Sequence, residues 1–179
     1  MASTYSSDLK LELMATGENA GTWGTKTNAN LNLIQQAIGG FEQVSVSSGA
    51  TVALAMSNAS ISNARNMVVK VASVTLSGAT VVTVPDSIEK MYIFDITAVT
   101  NPTNLTIKTA SGSGFVTDQA KMYFAYADGT NLNEVSLDTL GGAIGTASLP
   151  TVTVAKGGTG LTSLGAANLP LKVNSGGSA

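Results

Sequence analysis

The chain has no cysteine and no histidine. The first absence excludes disulfides and thiolate metal sites. The second removes the commonest general base and the commonest metal ligand. Charge is scarce as well: 11% of residues are charged, against roughly 25% in ordinary soluble domains. The net charge is -2 and the nine basic residues are scattered from Lys10 to Lys172, so there is no electrostatic footprint for DNA or RNA and no nucleic-acid partner is expected. Apolar runs are only a few residues long, far short of the ~20 needed to cross a bilayer, and no membrane insertion is expected. No basic stretch followed by an apolar one opens the sequence, so no signal peptide is expected either.

What is present is apolar and small. Hydrophobic residues make up 44% of 179 residues, enough for one domain with short appendages. A chain so poor in ions must solvate its surface with Thr, Ser, Asn and Gly, or cover it with neighbouring subunits. The second route points to a homo-oligomer or a docked component.

Residues 1–8 are small and polar and read as an arm. Leu9-Lys10-Leu11-Glu12-Leu13 alternates with period two, as a half-buried strand does. Gly17, Gly21 and Gly24 then mark a compact bend, since glycine adopts positive φ at low steric cost. A short helix follows over 25–38, with Thr25, Thr27 or Asn28 as N-cap. Leu31, Ile34 and Ile38, with Ala37 beside them, form its apolar stripe, and Gly39-Gly40 stops it. A helix of ~14 residues is marginal alone and must pack on something.

From 41 to 138 the pattern is β, and the fold class read from it is mainly β. Val, Ile, Thr and Tyr dominate candidate strands at 42–46, 51–56, 66–74, 80–84, 91–97, 104–109, 121–127 and 133–137. Turn signals such as Ser77-Gly78, Pro85-Asp86, Asn101-Pro102 and Asp128-Gly129 separate them. This spacing predicts an antiparallel β-sandwich of about eight strands. Three segments result: 1–40, an arm, loop and helix; 41–138, the sandwich; and 139–179, an extended Gly/Thr-rich tail ordered only by neighbours.

No constellation for catalysis, cofactor or metal stands out. Gly21-Thr22-Trp23-Gly24-Thr25-Lys26-Thr27 fails the phosphate-loop spacing because Thr25 separates the glycine from the lysine. Asp86, Glu89, Asp118, Asp128 and Glu134 fall in turns or at strand ends, where carboxylates solvate the chain. An alternating Asp/Asn calcium loop is absent. Trp23, the only tryptophan, reads either as an intersubunit anchor or as a plug within the chain.

Two stretches carry a resemblance. One runs from Ser6-Ser7-Asp8-Leu9-Lys10-Leu11-Glu12-Leu13 through Thr16-Gly17-Glu18-Asn19-Ala20-Gly21-Thr22-Trp23-Gly24 to Gln36-Ala37-Ile38. The other is Lys156-Gly157-Gly158-Thr159-Gly160, followed by Leu161 to Leu169. They resemble, respectively, the N-terminus and the recurrent GGTG element of tail-fibre-like proteins of tailed bacteriophages, especially marine and cyanobacterial ones. Pro170 stands where that element usually has Gly.

The resemblance implies a virion structural protein rather than an enzyme, with no cofactor. It implies a homotrimer in the virion tail, attached through its N-terminal part to tail or adaptor (nozzle) proteins, and meeting a host surface receptor only indirectly. The chain would be a length of a longer fibre, or a short fibre or adaptor-like protein. The attachment interface is expected at Trp23, Leu31, Ile34 and Ile38. A trimer interface is expected in the tail at Val152, Val154, Gly157, Gly158, Gly160, Leu161 and Leu164, its glycines giving the close turn into a shaft. The rival readings are a capsid decoration or baseplate protein, and a carbohydrate-binding β-sandwich module acting alone.

Overall fold

β-Branched residues are stiff at χ1 and pack well on a pleated surface, so the Val/Ile/Thr runs extend. The computed structural model describes residues 2–136. The chain divides into two compact units, Met1–Leu140 and Gly141–Ala179, and every described residue lies in the first. Two short strands, β1 (Thr4–Tyr5) and β2 (Glu12–Leu13), pair antiparallel ahead of helix α1 (Trp23–Gly39). Then follow β3 (Phe41–Val44), β4 (Thr51–Ala53), β5 (Val68–Val71), β6 (Val74–Thr75) and β7 (Thr80–Val84). After them come β8 (Glu89–Asp95), β9 (Val99–Thr100), β10 (Leu105–Thr109), β11 (Gly114–Val116), β12 (Met122–Asp128) and β13 (Leu132–Glu134).

The fold is mainly β, but the expected single antiparallel sandwich is corrected: the sheets are mixed. One sheet has the order β13-β12-β8-β5-β3, another β11-β10-β7-β4, and β6 pairs with β9. β3, β5 and β8 run parallel, as do β4, β7 and β10. Only the closing strands β11, β12 and β13 turn antiparallel on the two large sheets. The chain winds in coils. It lays a strand on one sheet, crosses to the other, and returns to stack beside its own earlier strand. Val68 comes to lie beside Ile93, Val74 beside Val99 and Thr80 beside Leu105, a step of 25 residues each time. Parallel neighbours need a long crossover, and here the opposite sheet is that crossover. The local spacing of strands and turns reports strand length. It does not report whether the next strand folds back or crosses over.

Both large sheets turn one face to a shared core. Val69, Val71, Tyr92, Phe94, Tyr123 and Ala125 come from the five-stranded sheet, and Val82, Val84, Leu105 and Ile107 from the four-stranded one. Tyr92 and Phe94 stack with ring centroids 5.5 Å apart, and Phe115 stacks on Tyr123 at 5.5 Å. Each fully buried aliphatic or aromatic side chain stabilises the fold by about 1.5–3 kcal/mol relative to exposure.

The helix starts two residues earlier than its sequence signals imply. Thr22 is the N-cap, and the amides of Thr22 and Trp23 donate to Asn19 O at 2.8 and 2.9 Å. Gly17 and Gly21 take positive φ, as the bend requires, while Gly24 lies inside the helix. Gly40 ends α1 for a reason other than left-handed geometry. Its backbone is extended, with φ -75°, and a Cβ there would run into the Gln36 carbonyl and the Asn66 side chain.

Candidate functional site

Helix α1 has two apolar sides, and only one meets its own chain. Leu33 and Ala37 are buried. Polar contacts beside them fix the helix: Lys26 pairs with Glu12 at 2.9 Å. Asn30 brackets the Glu12 backbone, accepting from its amide at 3.0 Å and donating to its carbonyl at 2.8 Å. Gln36 donates to Ser62 O at 3.2 Å.

The other side holds Trp23, Leu31, Ile34 and Ile38, the residues expected at the attachment interface, and the described residues leave it largely uncovered. Trp23 is 66% exposed, Leu31 56% and Ile38 68%, and Ile34 is half-buried. At 100° per residue these four fall within an arc of roughly 80°, an apolar stripe facing solvent that is interrupted only by Thr27. The pattern contained both stripes, and Leu33 with Ala37 is the one turned inward because Glu12, Ser62 and Arg65 grip that side. Among the described residues nothing encloses Trp23 as an intrachain plug.

Arg65 is the residue sequence reading passed over. It is the sole arginine and is fully buried. Its Nε donates to Leu9 O at 3.0 Å, Nη2 to Ser57 O at 2.6 Å, and Nη1 to Ser62 Oγ at 2.9 Å, to Gln36 Oε1 at 3.4 Å and to Ser60 O. One guanidinium thus staples the arm, the helix and the 57–62 loop. Burial pulls its pKa below the ordinary range. A lone arginine in a chain with few charges was the available signal, since such a cation is seldom buried unless its donors are all used.

Lys90 lies near it. Its Nζ donates to Asn66 O at 3.1 Å and to Met91 O at 3.0 Å, and sits 3.7 Å from the centroid of the Tyr92 ring. Burial, with the Arg65 charge added, brings its pKa down to about 7. The buried Tyr92 hydroxyl has no hydrogen-bond partner among the described residues, and burial raises its pKa. Neither group faces a carboxylate that would make it an acid–base pair.

The carboxylates hold turns. Asp86 accepts from the Ser111 amide at 3.0 Å, and Asp128 from the amides of Thr130 and Asn131 at 2.9 and 2.6 Å. Asp118 accepts from the Tyr123 hydroxyl and pairs with Lys121 at 3.0 Å, which lowers its pKa to about 2. Among the described residues no group of three or more acidic side chains is placed to hold a metal ion. A shallow depression of about 300 Å³ is lined by Asn32, Gln35, Gln36, Gly39, Gly40 and Ile61. Its walls are amides and one aliphatic side chain, with no aromatic platform.

Among the described residues no helix is long and apolar enough to cross a membrane. Val152, Val154, Gly157, Gly158, Gly160, Leu161 and Leu164 lie outside the described residues. The class defined at this point is a mainly β protein of mixed sheets with one helix. No family model, curated protein or solved structure matches the chain.

Proposed function

We propose that the chain is a structural component of a phage virion: the tail-proximal anchoring region of a fibre, which docks the fibre to the tail and supports host adsorption. It acts as a homotrimer without catalysis, joined to a tail or adaptor protein, and meets the host receptor only indirectly. The reading rests on the resemblance of residues 5–40 and 154–169 to tail-fibre-like proteins. The observation that carries it is the exposed stripe of Trp23, Leu31, Ile34 and Ile38, which lies within that resembling segment. An amphipathic helix with anchors at this spacing suits an apolar groove on its partner, and a tryptophan is a common hot-spot residue.

Because Trp23 is exposed, Trp23→Ala should leave the stability of the free chain within about 0.5 kcal/mol. Its incorporation into virions, followed by quantitative immunoblotting of purified particles, should fall severalfold. Normal incorporation would remove the anchoring role. Gold labelling of the particles separates the tail reading from a capsid decoration or baseplate protein. The amide-lined depression supports a carbohydrate-binding module as a second reading. Its discriminating result is glycan binding by the isolated chain that Gln35→Ala abolishes.

A further inference from the structure

The strand pair ahead of the helix is fastened to the rest of the chain by polar atoms. Its own turn is closed by the Ser6 amide, which donates to Leu11 O at 2.9 Å, and by Ser6 Oγ, which accepts from the Leu11 amide at 2.9 Å. Outward, Asp8 Oδ1 accepts from the Glu89 amide at 2.9 Å, Leu9 O from Arg65 Nε at 3.0 Å, and Lys10 O from the Ala59 amide at 2.8 Å. Glu12 is bracketed by Asn30 and paired with Lys26, both on α1. No apolar residue of 4–13 is buried. Leu33 and Ala37 of α1 are buried, but they stand outside the core that the two sheets share.

Two of these fastenings are strained. Lys10 and Ala59 take φ of 52° and 48°, the left-handed region in which a Cβ crowds the following carbonyl. They are bonded to each other, and Arg65 grips a carbonyl beside each. Nε holds Leu9 O, just before Lys10, and Nη1 holds Ser60 O, just after Ala59. Such strain persists only where the surrounding structure over-determines it. Once the pair separates, nothing holds either residue there.

We propose that residues 4–13 are a strained latch that seats α1 and withholds its inner side, Leu33 and Ala37, and that latch and helix come off the coils as one unit. The joint is Gly40, the one residue between α1 and β3. There the helix end packs so closely on Asn66 that only a glycine fits. The latch holds the helix nearer its start, through Lys26 and Asn30, and the Gly40 seat holds its end. Loosening either loosens the other, because both act on one rigid element. Opened, α1 offers Leu33 and Ala37 beside its outer stripe. A partner that binds both sides gains only on the open form and shifts the population toward it. The latch is a property of the chain alone and stands whether or not the helix docks to a tail protein.

The test uses the full chain and two readouts, amide exchange and trypsin cleavage after Lys26, both of which follow local opening. In the wild type the amides of 9–13 and 30–38 should share one level of protection, below that of Val82, Val84 and Ile107. Asn30→Ala removes both hydrogen bonds to Glu12. It should speed exchange in both segments, and cleavage after Lys26, about tenfold, with the three coil amides unchanged. Alanine is the better helix former, so the acceleration cannot come from a weaker helix. Gly40→Ala, whose new methyl meets only Gln36 and Asn66, should speed exchange in 9–13 as well. Leu31→Ala, on the outer stripe, should leave both segments as they are. Faster exchange in 9–13 with 30–38 unmoved would overturn the proposal, since the helix would then be seated without the latch. Equal acceleration at Val82 would overturn it by making latch and coils one unit. So would a latch indifferent to Asn30→Ala. A latch that opens as stated in a chain that never reaches virions would leave the inference standing and remove the anchoring function.

Discussion

The N-terminal region and the coils are held in opposite ways. Residues 4–40 are tied down by a few polar contacts: the Arg65 staple, the Asn30 bracket on Glu12 and the Lys26–Glu12 pair. The coils are held by a broad apolar core shared between two sheets. A polar staple concentrates its effect in one side chain, because losing it strands several acceptors at once. A packed core spreads its effect over many side chains and fails cooperatively. The difference predicts a region that opens locally beside one that unfolds as a unit.

The strongest challenge to that contrast is in the core. Phe94→Ala should cost about 4 kcal/mol, read by chemical denaturation, and amide exchange should accelerate across β5, β7, β8 and β10 together. Acceleration confined to β8 would break the idea of a shared core. Arg65→Ala should cost about 3 kcal/mol by taking the guanidinium donors from the carbonyls of Leu9 and Ser57 and leaving Ser60 O only the Ser62 hydroxyl. Its exchange should quicken in 9–13 and 57–62 while Val82 and Val84 stay protected, and uniform quickening would show that the staple is part of the core.

A smaller effect comes from Lys90, which lies in the coils beside the Arg65 staple. Its amine titrates at about 7 in the folded chain and near 10.5 when exposed. Between those values the unfolded chain holds a proton that the folded chain has released, so stability rises with pH. Below pH 7 both states are protonated and the group adds no slope. Between pH 7 and 9 the gain should be on the order of 1–2 kcal/mol, and Lys90→Met should flatten it. A wild-type curve that is already flat would show that the two carbonyls and the Tyr92 ring keep the ammonium charged. The smallest effect belongs to the outer stripe, where Leu31→Ala should shift stability by less than about 0.5 kcal/mol. A larger loss in the isolated chain would mean that the stripe is packed in solution.

The comparison also separates what could be read in advance. Every strand expected from composition falls on an observed one, because β-branched runs between Gly, Pro, Asn and Asp signal extension locally. β6 and β9 have only two residues each, and β11 begins at Gly114, at the end of a Ser/Gly run that masks a strand start. The parallel stacking had a trace in sequence, a 25-residue echo in which Val74-Thr75 returns as Val99-Thr100 and Val82 as Ile107. Over so few coils the echo is faint beside the turn signals. The stripe on α1 was named residue by residue, yet its direction was not legible. Periodicity gives the angle between side chains, and only a neighbouring surface says which angle points inward.

The sequence by itself determined the strand segments, the helix, the four residues of its outer stripe, the scarcity of charge and the lack of thiol and imidazole chemistry. These follow from local propensity and composition, which need no partner. Tertiary structure alone decided that most consecutive strands go to different sheets, that a single arginine ties the arm to the helix, and that one row of apolar residues crosses four strands of a sheet. Each of those depends on residues far apart in the chain: Phe41 reaches Phe124 through Val68 and Ile93, and Arg65 reaches Leu9. Packing and hydrogen bonding at that separation are set by register, which one-dimensional periodicity leaves open.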